Sequence, residues 1–197
     1  MIDDNYIVTV DPAEEPVTLV ETKNWLRVDT SADDALITSL IVSARRFGEK
    51  FCNRIFVDTT IECFFSGLDS SNCEHLPFIQ VRRAPLSSIT SLETYDGGSY
   101  GATTDYLIKD VNGFSRLIFE NGATFDDSGI VYPLKLTAVF GYGAAADVPD
   151  DIKTAIFSHV AFWYENRGDA VATGNLSMPL ETKSIYTGKY RILNTYG

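Results

Sequence analysis

The sequence predicts an α+β fold, a helical bundle body with an inserted antiparallel β-rich domain and an extended C-terminal segment. Apolar residues recur at helical spacing between residues 17 and 54 and again after Pro149, whereas short β-type runs broken by Gly, Asp, Asn and Ser fill the stretch between. At 197 residues, 45% of them hydrophobic, the chain is long enough to bury a core without covalent staples. The apolar residues are dispersed. No run approaches the roughly 18 residues of a membrane span and no basic-then-apolar leader opens the sequence, so the expected setting is cytoplasmic.

The expected organisation is an N-terminal arm (1–16), the first part of the helical body (17–54), an inserted β-rich region (55–141), the second part of the body (142–168) and a C-terminal segment (169–197). Within the arm, Tyr6, Val8 and Val10 alternate with polar residues ahead of two prolines, as in an exposed strand or an arm with little of its own to pack on. Thr18 and Glu21 have capping-box spacing, and Leu19, Trp25 and Leu26 give a short helix ending near Val28. Ser31 and Asp34 then suit the start of a long helix with its stripe at Leu36, Ile37, Leu40, Ile41, Ala44, Phe47 and Phe51. Arg45, Arg46, Glu49 and Lys50 fall mostly off that stripe, on a face expected to meet solvent or a neighbouring subunit.

Strands are expected at Val57–Phe65, Phe78–Val81, Ile89–Tyr95, Tyr106–Ile108, Arg116–Phe119 and Leu134–Phe140. The connections Gly67–Glu74 and Asp96–Thr104 read as exposed loops able to meet another protein, with Asp96-Gly97 marking a tight turn. After the Gly141–Asp147 loop a helix is expected to start at Pro149, with Asp150 and Asp151 in its first turn and Ile152, Ala155, Ile156, Val160 and Trp163 along one side. Arg167 and Gly168 suit its end. Gly168–Asn175 is poor in apolar anchors, and Pro179 opens a short helix leading to Tyr190 and Arg191.

Catalytic patterns are missing. The histidines are His75, in a polar loop, and His159, beside an apolar stripe where a packing role is expected; no GxSxG elbow accompanies them. HExxH, HxxEH, paired-cysteine and calcium-loop patterns are absent, so no catalytic, cofactor-binding or metal-ligating residue is assigned and no cofactor is expected. Cys52, Cys63 and Cys73 have neither zinc nor even-numbered disulfide spacing and read as reduced, packed thiols. Gly141 and Gly143 belong to no complete phosphate cradle and are expected to turn the chain from strand to helix.

Net charge is −11, concentrated in the N-terminal arm and the middle, where residues 1–34 alone hold nine acids against two bases. That balance argues against sequence-specific DNA binding, which relies on clustered Lys and Arg. Ten tyrosines are present, and Tyr100, Tyr106, Tyr186, Tyr190 and Tyr196 fall in or near irregular segments, a placement that suits protein–protein contact.

Two blocks, PVTLVETKNWLRVDTSADDALITSLIVSARRFGEKFCNR at Pro16–Arg54 and VFGYGAAADVPDDIKTAIFSHVAFWYENRGD at Val139–Asp169, together resemble the head-to-tail connector (adaptor) proteins of tailed bacteriophages. The likeness runs through Pro16, Val17, Thr18, Leu19, Glu21, Lys23, Leu26, Arg27, Val28 and Asp29, then Asp34, Ala35, Leu36, Ile37, Ala44 and Arg45. In the second block it runs through Gly141, Tyr142, Gly143, Val148, Pro149, Ile152, Lys153, Ala155 and Trp163 to Arg167. A β-rich stretch between the blocks and Tyr190-Arg191 near the C-terminus complete it.

The resemblance implies a non-enzymatic virion subunit assembled in the host cytoplasm into a ring, commonly twelve-fold, on the portal protein in the neck between capsid and tail. Such a ring extends the DNA channel and meets a stopper or tail-completion protein, with no membrane involved. By the same analogy, Ser177–Gly197, with Tyr186, Lys189, Tyr190, Arg191 and Tyr196, is the expected portal-docking segment. Arg45, Arg46, Lys50 and Arg54 are expected to pair with acids on a neighbouring subunit, and an acidic channel lining would let DNA pass without sticking. A tail-terminator or other virion ring protein, and a β-rich carbohydrate-active enzyme, are the alternatives.

Overall fold

A computed structural model describes residues 5–67, 77–95, 97–111, 113–119, 131–166 and 178–190. The chain divides into two compact units, one formed by Met1–Pro12 with Asp58–Gly141 and the other by Ala13–Val57 with Tyr142–Gly197. The fold class is α+β, with antiparallel sheets in the first unit and helices in the second.

In the first unit, strands β1 (Asn5–Val10), β2 (Thr59–Phe65), β3 (Phe78–Val81), β4 (Leu86–Tyr95), β5 (Tyr100–Ala102), β6 (Leu107–Val111), β7 (Phe114–Ile118) and β8 (Leu134–Phe140) form two sheets. One has the order β1-β2-β8-β4-β5 and the other β3-β7-β6. The central strands β2 and β8 alternate strictly, burying Ile61, Cys63 and Phe65 on one and Leu134, Leu136, Ala138 and Phe140 on the other. That period of two is what a sheet with one covered face requires.

Of the exposed strand and the arm expected at the N-terminus, the strand forms: β1 joins the five-stranded sheet with residues 5–8 antiparallel to Phe64–Ile61. Two expectations change here. Part of the expected Asp96–Thr104 loop is β5, hydrogen-bonded to Glu93–Tyr95, because a strand as short as Tyr-Gly-Ala has too few residues to show alternation. Strand β6 runs to Val111 rather than stopping at Ile108, and Gly113, at φ 82°, supplies the positive φ that closes its hairpin with β7.

The second unit is built on α1 (Leu19–Leu26), α2 (Asp34–Cys52), α3 (Asp150–Glu165) and α4 (Leu180–Ile185), the last continuing into a π-helical turn, Tyr186–Tyr190. Helix α1 carries the expected capping box: the Glu21 N–H donates to Thr18 Oγ1 (3.2 Å), and the Thr18 N–H donates to the Glu21 carboxylate (2.8 Å). The N-cap of α2 is Asp33, not Ser31, and its carboxylate accepts the Tyr164 hydroxyl (2.5 Å) instead of capping its own helix. Ile37, Ile41 and Ala44 of α2 pack with Ile152, Ala155, Ile156 and Val160 of α3, with Val17, Phe56, Tyr186 and Tyr190 in the same core.

The link from β8 into α3 turns at Gly141 and Gly143, with φ of 146° and 120°. A Cβ on Gly141 would lie 2.5 Å from the Asp58 backbone nitrogen, so close approach demands glycine there as well as the positive φ. The expected helix end at Arg167-Gly168, the Gly168–Asn175 stretch, His75, Cys73, Asp96 and most of the Gly67–Glu74 loop lie outside the described residues.

Candidate assembly interface

The four basic residues nominated on or just beyond α2 divide into two pairs. Arg45 is buried. Its Nε and Nη2 donate to the Glu15 carboxylate (2.7 and 3.1 Å), and its Nη1 donates to Glu49 one turn along α2 (2.9 Å). Glu49 also accepts the backbone N–H of Phe56 at 2.9 Å. The stripe of α2 that faces inward therefore runs through Ile37, Ile41, Ala44 and Arg45, Gly48 and Glu49 to Cys52, wider than apolar residue types alone indicate.

Burial opposes charge on this cluster from both sides. For Arg45, desolvation is outweighed by Glu15 and Glu49, and its pKa rises above the ordinary arginine value. For Glu49, desolvation wins over Arg45 and the Phe56 N–H, and its carboxyl is pushed above the usual range.

Arg54, just past the end of α2, points its guanidinium at the C-terminal segment: Nε donates to the Tyr190 carbonyl (2.8 Å) and Nη1 to the Tyr142 hydroxyl (3.3 Å). Arg46 and Lys50, one helical turn apart, are exposed. The expectation that Arg45 and Glu49 sit on an open face is thus corrected. A buried arginine needs carboxylates on more than one side, and one of them, Glu15, is 30 residues away in sequence.

The described part of the C-terminal segment is held just as firmly. Tyr186 is fully buried with its ring against Phe51 and Phe56, and its hydroxyl oxygen lies 2.6 Å from where a Cβ on Gly48 would stand. Gly48 is what admits it. The Tyr186 hydroxyl has no hydrogen-bond partner among the described residues, and burial pushes its pKa far above the ordinary tyrosine value.

Tyr190 donates its hydroxyl to Asp151 in the first turn of α3, and Lys189 Nζ pairs with the same carboxylate at 2.8 Å. Partial burial works against the Asp151 charge, but the bonds from Lys189 and Tyr190 outweigh it and hold this carboxyl below the usual range. Thr182 adds a hydroxyl bond to the Ala155 carbonyl (3.3 Å). Of the residues nominated for docking, Tyr186 and Tyr190 are anchors inside the unit, Lys189 is an exposed partner of Asp151, and Arg191 and Tyr196 lie outside the described residues.

Sequence reasoning missed Glu14, Glu15 and Asp151 as structural partners. Glu14 accepts the Ala145 N–H at 2.7 Å, ahead of α3. The adjacent acids in the Pro-flanked stretch were the only local signal. His159 is fully buried between Trp163, its ring centroid 3.9 Å away, and Phe47. Cys52 and Cys63 are buried thiols. Among the described residues no group of three or more His, Cys, Asp or Glu side chains is placed to hold a metal ion, and no helix is long and apolar enough to cross a membrane.

Residues 16–79, which span α1, α2, β2 and the start of β3, match the family described as phage gp6-like head-tail connector protein. The head-tail connector resemblance is borne out. The second block behind it, Val139–Asp169, lies outside the matched span. Among solved structures the chain is similar to one in the neck of an empty GTA particle computed with C6 symmetry (TM-score 0.76, 17% identity, 98% of each chain covered). A chain in the virion of a native gene transfer agent particle matches with TM-score 0.75 and 17% identity, over 98% of this chain and 97% of that one. The neck of a native GTA particle computed with C12 symmetry matches with TM-score 0.72 and 17% identity, over 100% of this chain and 98% of that one. No curated protein matches the sequence.

Proposed function

We propose that this protein is a head-tail connector, a structural subunit of the neck of a phage-like particle that forms a ring of identical copies between capsid and tail. The observation that carries the reading is the shared fold over nearly the whole chain with subunits of necks solved with C6 and C12 symmetry, joined to the connector match at residues 16–79. The protein acts by assembly rather than by catalysis. Its ring, twelve-fold on this reading, seats on the portal protein, extends the DNA channel and receives a stopper or tail-completion protein. DNA passes without sequence-specific binding, helped by the net charge of −11, which repels phosphate.

The side-chain roles follow from what is free to act. Arg46 and Lys50, exposed on α2, are the basic residues available to meet acids of a neighbouring copy, while Arg45 and Arg54 hold their own unit together. Tyr186 and Tyr190 fix the base of the C-terminal segment, leaving Arg191 and Tyr196 beyond it as the portal-docking residues.

The test is imaging of DNA-filled, tailless capsids after incubation with the purified protein. A ring of added density at the portal vertex is expected, and its symmetry gives the subunit count. Density on isolated tails, with none at the portal, would replace this reading with that of a tail-terminator ring.

A further inference from the structure

β1 is attached to its sheet from the outside. All six of its residues are exposed, and its pairing with β2 slips between Val8 and Val10. Surface side-chain contacts add to the backbone ladder: Asn5 Nδ2 donates to the Tyr132 hydroxyl (3.0 Å), the Thr9 hydroxyl donates to the Thr60 carbonyl (3.2 Å), and the Arg83 guanidinium lies 4.3 Å from the Tyr6 ring centroid. A strand that buries no residue of its own belongs to the least stable part of a fold and opens without unfolding the rest.

The chain is gripped immediately after β1. At Pro12–Ala13 it passes from the first unit to the second. Glu14 then accepts the Ala145 N–H (2.7 Å), Glu15 holds the buried Arg45 (2.7 and 3.1 Å), and Pro16 and Val17 are buried. β1 is therefore a short strand on a fixed base, joined to it by Asp11, Pro12 and Ala13. Asp11 and Ala13 are exposed, and the step into a proline favours extended backbone. The receiving edge has a defined fit. β2 takes the sequence Asn5–Val10 antiparallel, with Tyr6 opposite Cys63 and Val8 opposite Ile61. Left bare, that edge would present unpaired backbone groups beside the buried Ile61 and Cys63.

We propose that β1 is exchanged in the ring, each copy laying its Asn5–Val10 strand on the β2 edge of the next copy. The inference rests on the ring reading above. The occupant of the edge is the strand the structure shows there, taken from a second copy, so every β1–β2 contact is kept and the exchange costs only the opening of the 11–13 linker. Giving a strand on one side and receiving one on the other is a heterologous contact, the kind that closes a ring. Once neighbours are held side by side, their high effective concentration favours the exchanged form, whereas the free chain keeps its own strand.

The experiment uses the full chain carrying Ile7→Cys and Glu62→Cys, with Cys73→Ser. Positions 7 and 62 are paired across β1 and β2, and paired residues of antiparallel strands stand about 4.5–5.5 Å apart at Cα, within reach of a disulfide. Reduced, this protein is expected to keep the wild-type circular dichroism and to form rings on tailless capsids. Oxidised before assembly, each β1 is locked to its own β2, and the ring population should fall roughly tenfold or more and return with reductant. Oxidised within rings, the same cysteines should join neighbouring copies, giving a ladder of covalent multimers on a denaturing gel that neither single-cysteine variant gives. Equal ring formation by locked and reduced protein, or cross-links confined within each chain of the ring, would overturn the proposal. A ladder from Ile7→Cys alone would overturn it in favour of direct contact between two β1 strands. Loss of rings on locking without a ladder would overturn it in favour of another virion protein receiving β1. Wild-type protein that forms no ring would instead remove the functional reading, and this inference with it.

Discussion

The helical unit and the β unit satisfy themselves to different degrees. In the helical unit the charged groups near the core have partners within the unit: Arg45 with Glu15 and Glu49, Arg54 with Tyr190 and Tyr142, Asp151 with Lys189 and Tyr190. In the β unit the apolar faces of two sheets run past their last covered residue and stop at β1 and β6. The first unit to be disturbed by a core substitution should be the helical one, through stability. Disturbing β1 should leave stability nearly alone and change association.

The largest effect is expected from Arg45→Ala. It strands Glu49 in a buried site, and breaking a buried pair of this kind costs about 3–5 kcal/mol. Chemical denaturation followed by far-ultraviolet circular dichroism reads the helices, and a loss no larger than that of an exposed arginine would mean that the cluster contributes little.

Gly48→Ala comes next. Its methyl group would meet the Tyr186 hydroxyl at 2.6 Å and Phe56 Cε2 at 2.9 Å, and overpacking of this kind costs about 1–3 kcal/mol. Tyr186→Phe alone should stabilise by about 1 kcal/mol, because it removes a buried hydroxyl that lacks a partner. The double variant should recover part of the Gly48→Ala loss, since the ring carbon Cζ at position 186 and Phe56 Cε2 would still lie 2.9 Å from the added methyl, and a mutant cycle measures that non-additivity.

The acids of the helical unit respond to pH in opposite senses. Asp151 titrates below its ordinary 3.8 in the folded chain, so its contribution is present above that pH and is lost as pH falls through the lower folded value. Glu49 titrates above its ordinary 4.5, so folding is favoured by its protonation and stability declines as pH rises from 4.5 through the folded value. Asp151→Asn should flatten the acid limb of the stability profile, at a neutral-pH cost of about 1 kcal/mol. Glu49→Gln should flatten the decline above pH 4.5.

The smallest stability change is expected for Arg46→Glu with Lys50→Glu, within about 0.5 kcal/mol since both side chains are exposed. The same change should impair ring formation. Unchanged rings would remove Arg46 and Lys50 from the interface and sharpen the contrast by leaving association to the β unit.

Legibility followed how local each signal is. The long α2 and α3 helices were readable because 3.6-residue periodicity repeats over several turns, β2 and β8 because alternation persists through seven residues, and β3 because it is a short, mostly apolar run. β5 was read as loop for want of length. The site was legible as a set of residue types and not as an arrangement. Arg45 and Arg46 are neighbours in sequence and indistinguishable in composition, yet one is buried and the other exposed.

By itself the sequence determined the class of fold, the order of its helices and longer strands, the capping box at Thr18 and Glu21, the glycine turns into α3 and the resemblance to head-tail connectors. Tertiary structure alone decided which charges face inward, that Tyr186 and Tyr190 are anchors, and that β1 and β6 are uncovered edges. The reason is physical: helix and strand periods are set by bonds between near neighbours, whereas burial of a charge or exposure of an edge depends on partners as distant as Glu15 from Arg45 or Arg54 from Tyr190.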